Sequence, residues 1–216
     1  MNGPIDGSRF ATSPRPDALP GHGLVRRGWD SRLGRWSAKI LPGEYYVTRH
    51  DEAITTVLGS CIAACIRDPV LGAGGMNHFM LPEETGNTSW GDAGTQSTRY
   101  GSAAMERLVN ELLKIGARRE RLEVKLFGGG RILASNTQVG ARNIDFAHEW
   151  LNAEGFTVVR EDVGGNVPRR VIYFPATGRA LVKHLMQVES RLVADRERHY
   201  LDRVRHETGG DDIELF

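Results

Sequence analysis

Between about residue 40 and residue 81 the apolar side chains cluster in short runs of strand length. EYYVTR (44–49) and AITTVLGS (53–60) are rich in β-branched and aromatic residues and read as two strands. IAACIR (62–67) is a third, closed by the turn pair Asp68-Pro69, and GGMNHFML (74–81) a fourth, closed by Pro82. The period then changes. Met105, Leu108, Val109 and Leu112 stand at i, i+3, i+4 and i+7, which predicts a helix capped by Ser97 or Thr98 and stopped at Gly116. LEVKLFGG (122–129) returns to a strand pattern and runs into glycines. NIDFAHEWLNAEGF (143–156) predicts a second helix with Phe146, Trp150 and Leu151 on one side. TVVREDV, RRVIYFP and RALVKHL read as strands separated by Gly164-Gly165 and Thr177-Gly178. Leu181, Leu185, Val188 and Leu192 recur at helical spacing and predict a last helix over about 185–206. Strands come first and then mix with helices. That order predicts an α+β fold, a layered α/β sandwich with mixed, mostly antiparallel sheets, rather than regular βαβ winding.

The two ends lack this patterning. Residues 1–38 are rich in Gly, Pro, Ser and Asp and read as a flexible tail that cannot bury enough surface to order itself. Residues 189–216 read as a helical, acidic extension of a folded domain spanning 39–188. The polar loop 83–98 is a candidate lid. At 216 residues, 40% hydrophobic and 25% charged, one soluble domain is expected. A formal net charge of +1 argues against a nucleic-acid partner. No apolar run is long enough for membrane insertion, and no apolar segment near the start reads as a secretory signal. Two cysteines make no disulfide framework and fit a reducing, cytoplasmic setting.

The chemistry points to Leu58-Gly59-Ser60-Cys61. A cysteine after Gly-Ser at a strand end sits among free backbone N–H groups, which lower a thiol pKa and hold an oxyanion. Gly59 and Ser60 are thus candidate oxyanion-binding positions. If 62–67 and 74–81 form a hairpin, residue 61 faces residue 78 or 80, and His78 is brought to the same open end. The same pattern also describes an inert buried cysteine and a satisfied core histidine. Cys65 lies about 13 Å along the strand from Cys61, too far to share a metal or a disulfide, so no metal site is expected and Cys65 reads as core. Of Thr55 and Thr56, only one can face the Cys–His side, where a hydroxyl could fix the imidazole tautomer. Gly128-Gly129-Gly130-Arg131 fails the dinucleotide and P-loop patterns and reads as close backbone packing. Asn77 alternates to the strand face opposite His78 and reads as structural.

These residues resemble a known family. The run TTVLGSCIAACIRDPVLGAGGMNHFMLPEE (55–84) resembles the signature of CheD, the chemoreceptor glutamine deamidases of bacterial chemotaxis. LPGEYYV (41–47), STRYGSAAMERLVNELLKIGA (97–117), KLFGGG (125–130), GARNIDFAHEWLNAEGF (140–156) and DVGGNVPRRVIYFPATGRALVK (162–183) resemble its other blocks in the same order. One departure is Pro168, standing where the family's Gly-Gly-x-x-Gly-Arg loop has its last glycine.

The resemblance implies a sandwich similar to that of cysteine deamidase toxins. It implies Cys61 as nucleophile, His78 as general base and Thr55 as the third catalytic position, with Thr56 one register step away. The implied reaction converts glutamines on the cytoplasmic helices of methyl-accepting chemoreceptors to glutamate, with glutamyl methyl ester hydrolysis also attributed to the family. No cofactor is implied. The CheC phosphatase is the second implied partner. Two competing readings share parts of this pattern: a non-catalytic receptor- or phosphatase-binding adaptor, and a cysteine protease or transglutaminase-like acyl transferase.

Overall fold

The computed structural model describes residues 13–82, 96–132 and 138–208. The all-apolar run IAACIRD becomes β5 (Ile62–Asp68), buried along nearly its whole length. A strand buried on both faces needs covering layers on both sides, and it has them. β5 is central in one five-stranded sheet, ordered β3 (Tyr45–Thr48), β6 (Ala73–Asn77), β5, β7 (Glu123–Gly128) and β8 (Val158–Val163). Its Ile62, Ala64 and Ile66 face α1 (Gln96–Lys114) and α2 (Val139–Ala153), packing with Met105, Leu108, Leu112, Phe146 and Leu151. Its Ala63 and Cys65, with Cys61 just before the strand, face a second sheet through Ile54, Leu58, Val171 and Tyr173. That sheet runs β1 (Arg26–Asp30), β2 (Arg35–Lys39), β4 (Ala53–Leu58), β9 (Arg169–Phe174) and β10 (Arg179–His184). Pairing is antiparallel except between β2 and β4 and between β7 and β8. The layers are therefore helices, sheet and sheet, in agreement with the expected α+β sandwich.

The expected helix α1 is present with its apolar face buried. Gly116 takes φ +96°, letting Gly116 and Ala117 donate back to Leu113 and Leu112 and end it. α2 starts at Val139, four residues before the expected Asn143.

The boundary expected at residue 38 is corrected. β1 and all of β2 but Lys39 lie inside the supposed tail and add an antiparallel hairpin to the second sheet. These strands are half exposed, with only Ala38 buried, so Arg and Trp rather than an apolar alternation make their faces. Trp29 and Trp36 pair across the ladder edge to face, 6.1 Å between ring centres. Arg27 reaches inward to a buried cluster, donating to Tyr46 Oη (2.9 Å) and Glu52 Oε1 (3.0 Å), while Tyr46 and Thr48 also donate to Glu52.

The last helix, α3 (Gln187–Thr208), is present, but its phase differs from the expected stripe. Leu181 belongs to β10 and Leu192 is 68% exposed. Among its described side chains the buried positions are Val193, Glu197, Tyr200, Leu201 and Val204, and the last three seat the helix on the cluster that contains Cys61. The candidate lid at 83–98 lies largely outside the described residues.

Candidate active site

β4 and β5 are joined by Gly59-Ser60-Cys61, and the orientation of this turn is fixed through its carbonyls. Gly130 N–H donates to Gly59 O (2.6 Å), Asn143 Nδ2 to Ser60 O (2.7 Å) and Gly129 N–H to Cys61 O (2.8 Å). In a trans peptide the next N–H points opposite to each carbonyl. Pinning the Gly59 and Ser60 carbonyls toward the glycine loop and α2 therefore aims the Ser60 and Cys61 N–H groups the other way. The glycine run serves this approach: Gly128 sits at φ +113°, and a Cβ there would lie 2.1 Å from Cys61 O. This is the close backbone packing expected of it. Asn143 also accepts from Leu81 N–H (2.9 Å), linking the turn to the segment after His78.

The N–H groups of Gly59, Ser60 and Cys61 converge on one carboxylate, that of Glu197 from α3. Gly59 N–H and Cys61 N–H donate to Oε1 at 2.8 and 3.2 Å. Ser60 N–H and Ser60 Oγ donate to Oε2 at 2.8 and 2.7 Å. Gly59 is needed for this approach, because a Cβ would lie 2.7 Å from Glu197 Oε2 and 2.0 Å from Ile132 Cδ1.

His78 follows β6. The β5–β6 register pairs Cys65 with Met76 and Ile62 with Phe79. Carried one residue further, it sets Cys61 opposite Met80, and the two sulfurs are 3.8 Å apart. Cys61 and His78 thus share the inter-sheet face, as the hairpin argument expected. The backbone of His78 is held by Glu44 O and Gly43 N–H. Its Nδ1 lies 2.7 Å from Thr56 Oγ1, and Thr56 Oγ1 also lies 2.9 Å from Ile40 O. A hydroxyl has one proton. A carbonyl can only accept, so the threonine proton goes to Ile40 and the oxygen accepts from His78 Nδ1–H. That assigns the tautomer: Nε2 carries the free lone pair. His78 Nε2 is buried with no hydrogen-bond partner among the described residues.

Thr55, expected as the third position, is elsewhere. Ile54, Thr56 and Leu58 are the buried residues of that stretch of β4, so the intervening Thr55 faces away and donates to Val171 O of β9 (3.1 Å). Thr56 is the threonine on the histidine. Cys65 and Asn77 are structural: Cys65 is core, and Asn77 bridges Ala64 N–H and Ala104 O.

Cys61 Sγ, a ring nitrogen of His78 and a carboxylate oxygen of Glu197 lie within 4.8 Å of one another. Such a trio has the donor types of a metal site, but each Glu197 oxygen already accepts two hydrogen bonds. The carboxylate answers anion-seeking donors and is not aimed at a cation. All three residues are closed to solvent, with Cys61 at 0% and His78 and Glu197 at 2% exposure. Burial, and then the nearby Arg196 charge, hold the His78 pKa down at about 3. Burial, and then the Glu197 carboxylate, push the Cys61 thiol well up. Thiol and imidazole are both neutral here. Glu197 and Asn143 are not signalled by sequence spacing, because each acts from a helix remote along the chain.

Comparison with known proteins places this chain in a family. A family model described as CheD chemotactic sensory transduction matches residues 80–184. A protein of Halorhodospira halophila named "Probable chemoreceptor glutamine deamidase CheD" is 51% identical over 203 residues, covering 93% of this chain and 94% of its own. Proteins of the same name from Hahella chejuensis (45% over 203 residues, 94% of this chain and 96% of theirs) and Hydrogenovibrio crunogenus (48% over 192 residues, 89% and 100%) align over similar lengths. With identity this high along nearly the whole chain, the protein belongs to the CheD family.

Proposed function

We propose that this protein is a cysteine-dependent protein-glutamine deamidase. It converts glutamine side chains on the cytoplasmic helices of chemoreceptors to glutamate and releases ammonia. The names of its relatives support the substrate. The observation that carries the chemistry is the pairing of Cys61, at the head of three convergent N–H donors, with a His78 whose basic Nε2 is set by Thr56.

A carboxamide is a weak electrophile with a poor leaving group. Nε2 of His78 takes the Cys61 proton as Sγ bonds to the carboxamide carbon. The carbonyl oxygen gains charge in the cradle of Gly59, Ser60 and Cys61 N–H groups, each such donor worth roughly 3–4 kcal/mol of barrier. His78 then protonates the departing nitrogen and ammonia leaves a thioester. Water, deprotonated by the same Nε2, adds to the thioester, the C–S bond breaks as Nε2–H returns that proton to Sγ, and glutamate remains. A glutamyl methyl ester fits the same sequence with methanol as leaving group. Among the described residues no helix is long and apolar enough to cross a membrane, and we place the reaction in the cytoplasm with the receptor helices.

The test is the intact mass of a soluble receptor fragment incubated with the protein. Each conversion adds about 1 Da with one ammonia released. Cys61→Ala should abolish both while leaving the thermal unfolding midpoint near its original value. Deamidation by Cys61→Ala at the original rate would overturn the assignment.

A further inference from the structure

In this structure the oxyanion cradle is filled from within. Glu197 stands in the middle of the buried stripe of α3, four residues after Val193 and three, four and seven before Tyr200, Leu201 and Val204. The helix is seated on three separate parts of the fold. Tyr200 pairs its hydroxyl with that of Tyr100 on α1. It also lies over Gly43, where φ is +86° and a Cβ would come 2.8 Å from Tyr200 Oη. Glu197 takes the three N–H groups and the Ser60 hydroxyl.

A carboxylate is nearly isosteric with a carboxamide, and a glutamate side chain is the product of glutamine deamidation. Glu197 therefore places a product side chain, carried on a helix, with its oxygens in the donors that a substrate carbonyl requires. A glutamine from another molecule cannot use those donors while Glu197 does. Being tethered, α3 competes at an effective concentration that a free helix reaches only when abundant.

We propose that α3 is a tethered product mimic that closes the active site, and that the groove beneath it is where the glutamine-bearing helix of the substrate docks. The product-mimic and substrate-groove parts rest on the deamidase reading, and the closure of the site by α3 does not. The groove recognises a helix with a glutamine or glutamate flanked by apolar residues four before and three, four and seven after it. Access requires α3 to swing out, exposing Cys61.

Two measurements on the full chain test this. The first is the rate of iodoacetamide alkylation at Cys61, with Cys65 as the internal control for general loosening. Glu197→Ala removes the charge-assisted hydrogen bonds and leaves the cradle without its acceptor. It should speed Cys61 alkylation more than about tenfold with Cys65 unchanged. Equal Cys61 rates in the two proteins overturn the closure. The second uses Glu197→Gln, which keeps the side chain's size and one of its two acceptor oxygens and turns the mimic into a substrate. Cys61 attacks the carboxamide introduced at position 197, the C–N bond breaks, ammonia leaves, and water releases the thioester as a carboxylate, restoring Glu197. Peptide mass should show position 197 gaining about 1 Da, either on purification or on incubation, and no gain when Cys61→Ala is added. A carboxamide that stays unconverted at position 197, in a protein that does deamidate a receptor fragment, overturns the product seat. If neither is converted, the deamidase reading and the substrate groove fall together, and the alkylation contrast alone decides the closure.

Discussion

Replacing Thr56 by valine preserves shape and removes one hydroxyl, and the structure says what that hydroxyl does. It donates to Ile40 O and accepts from His78 Nδ1–H. In Thr56→Val both partners are orphaned in a site where Thr56 and His78 are each 2% exposed. A buried polar group left unpaired costs about 1–3 kcal/mol. The imidazole can escape its share by moving the proton to Nε2, but then a proton rather than a lone pair faces the thiol. Whether the site keeps the unpaired tautomer or loses the base, turnover should fall by roughly 5- to 150-fold, the same 1–3 kcal/mol expressed as barrier. KM should hardly move, because Thr56 acts on the histidine and not on substrate. The Ile40 carbonyl adds a stability loss worth about 2–12 °C in Tm at this chain length. Thr55→Val removes only a half-exposed bond to Val171 O, so turnover should stay within about twofold and stability within about 1 kcal/mol. Thr56→Ser should restore most of the loss. The assay is ammonia release from a receptor fragment at saturating and limiting substrate, with Tm measured alongside. A Thr56→Val protein that is less stable but turns over normally, or a Thr55→Val protein that alone loses turnover, would refute the reasoning.

Asn143→Asp keeps the acceptor for Leu81 N–H but cannot donate to Ser60 O, so the cradle loses its aim; kcat should fall more than about tenfold with α2 retained by circular dichroism. His78 falls from 6.5 unfolded to about 3 folded, so between those values the unfolded chain binds the extra proton. Stability then drops as pH is lowered from 6.5 toward 3, on the order of 1 kcal/mol per unit. His78→Gln should flatten the fall in Tm between pH 7 and 5, though not entirely, since buried His22 is shifted in the same direction. Arg27→Met should cost about 3–5 kcal/mol in urea unfolding, because it leaves Glu52 buried without its counter-charge; a neutral result would return the β1–β2 hairpin to the status of a dispensable tail.

The elements that are legible in the sequence are those whose side chains are buried on a full face. β4 to β6 and α1 carry unbroken apolar or β-branched patterning, and the turn Asp68-Pro69 sets the hairpin register that brings Cys61 and His78 to one end. Thr55 and Thr56 cannot be separated by type. What separates them is parity: Ile54 and Leu58 share Thr56's face, but Val57 on the other face blurs the alternation. β1 and β2 escape because their one fully buried side chain is Ala38, while their contacts are made by Arg27, Trp29 and Trp36. The phase of α3 is hidden for a related reason. Its true stripe contains a glutamate and a tyrosine, whereas the leucine that anchors the apparent stripe, Leu192, points to solvent. Asn143 carries no spacing signal at all, since its partners are the backbone at residues 60 and 81.

The glutamate at 197 follows from the cradle itself. A turn whose carbonyls are pinned by Gly129, Gly130 and Asn143 presents its N–H groups whether or not a substrate is bound. In an open site water would satisfy them. Under a seated helix there is no room for that exchange, and each unpaired buried donor costs about 1–3 kcal/mol. A leucine at 197 would complete the apolar stripe yet bury Gly59, Ser60 and Cys61 N–H together, so the gain from packing one side chain, about 1.5–3 kcal/mol, would be outweighed. A lysine would bring donors to donors. Aspartate is one methylene short of the reach that Glu197 uses. The same three donors that lower the barrier for an oxyanion thus dictate an acceptor with two oxygens on any helix that covers them. Burial beneath the helix, and then that acceptor's charge, raise the pKa of the thiol and keep Cys61 unreactive until the helix leaves.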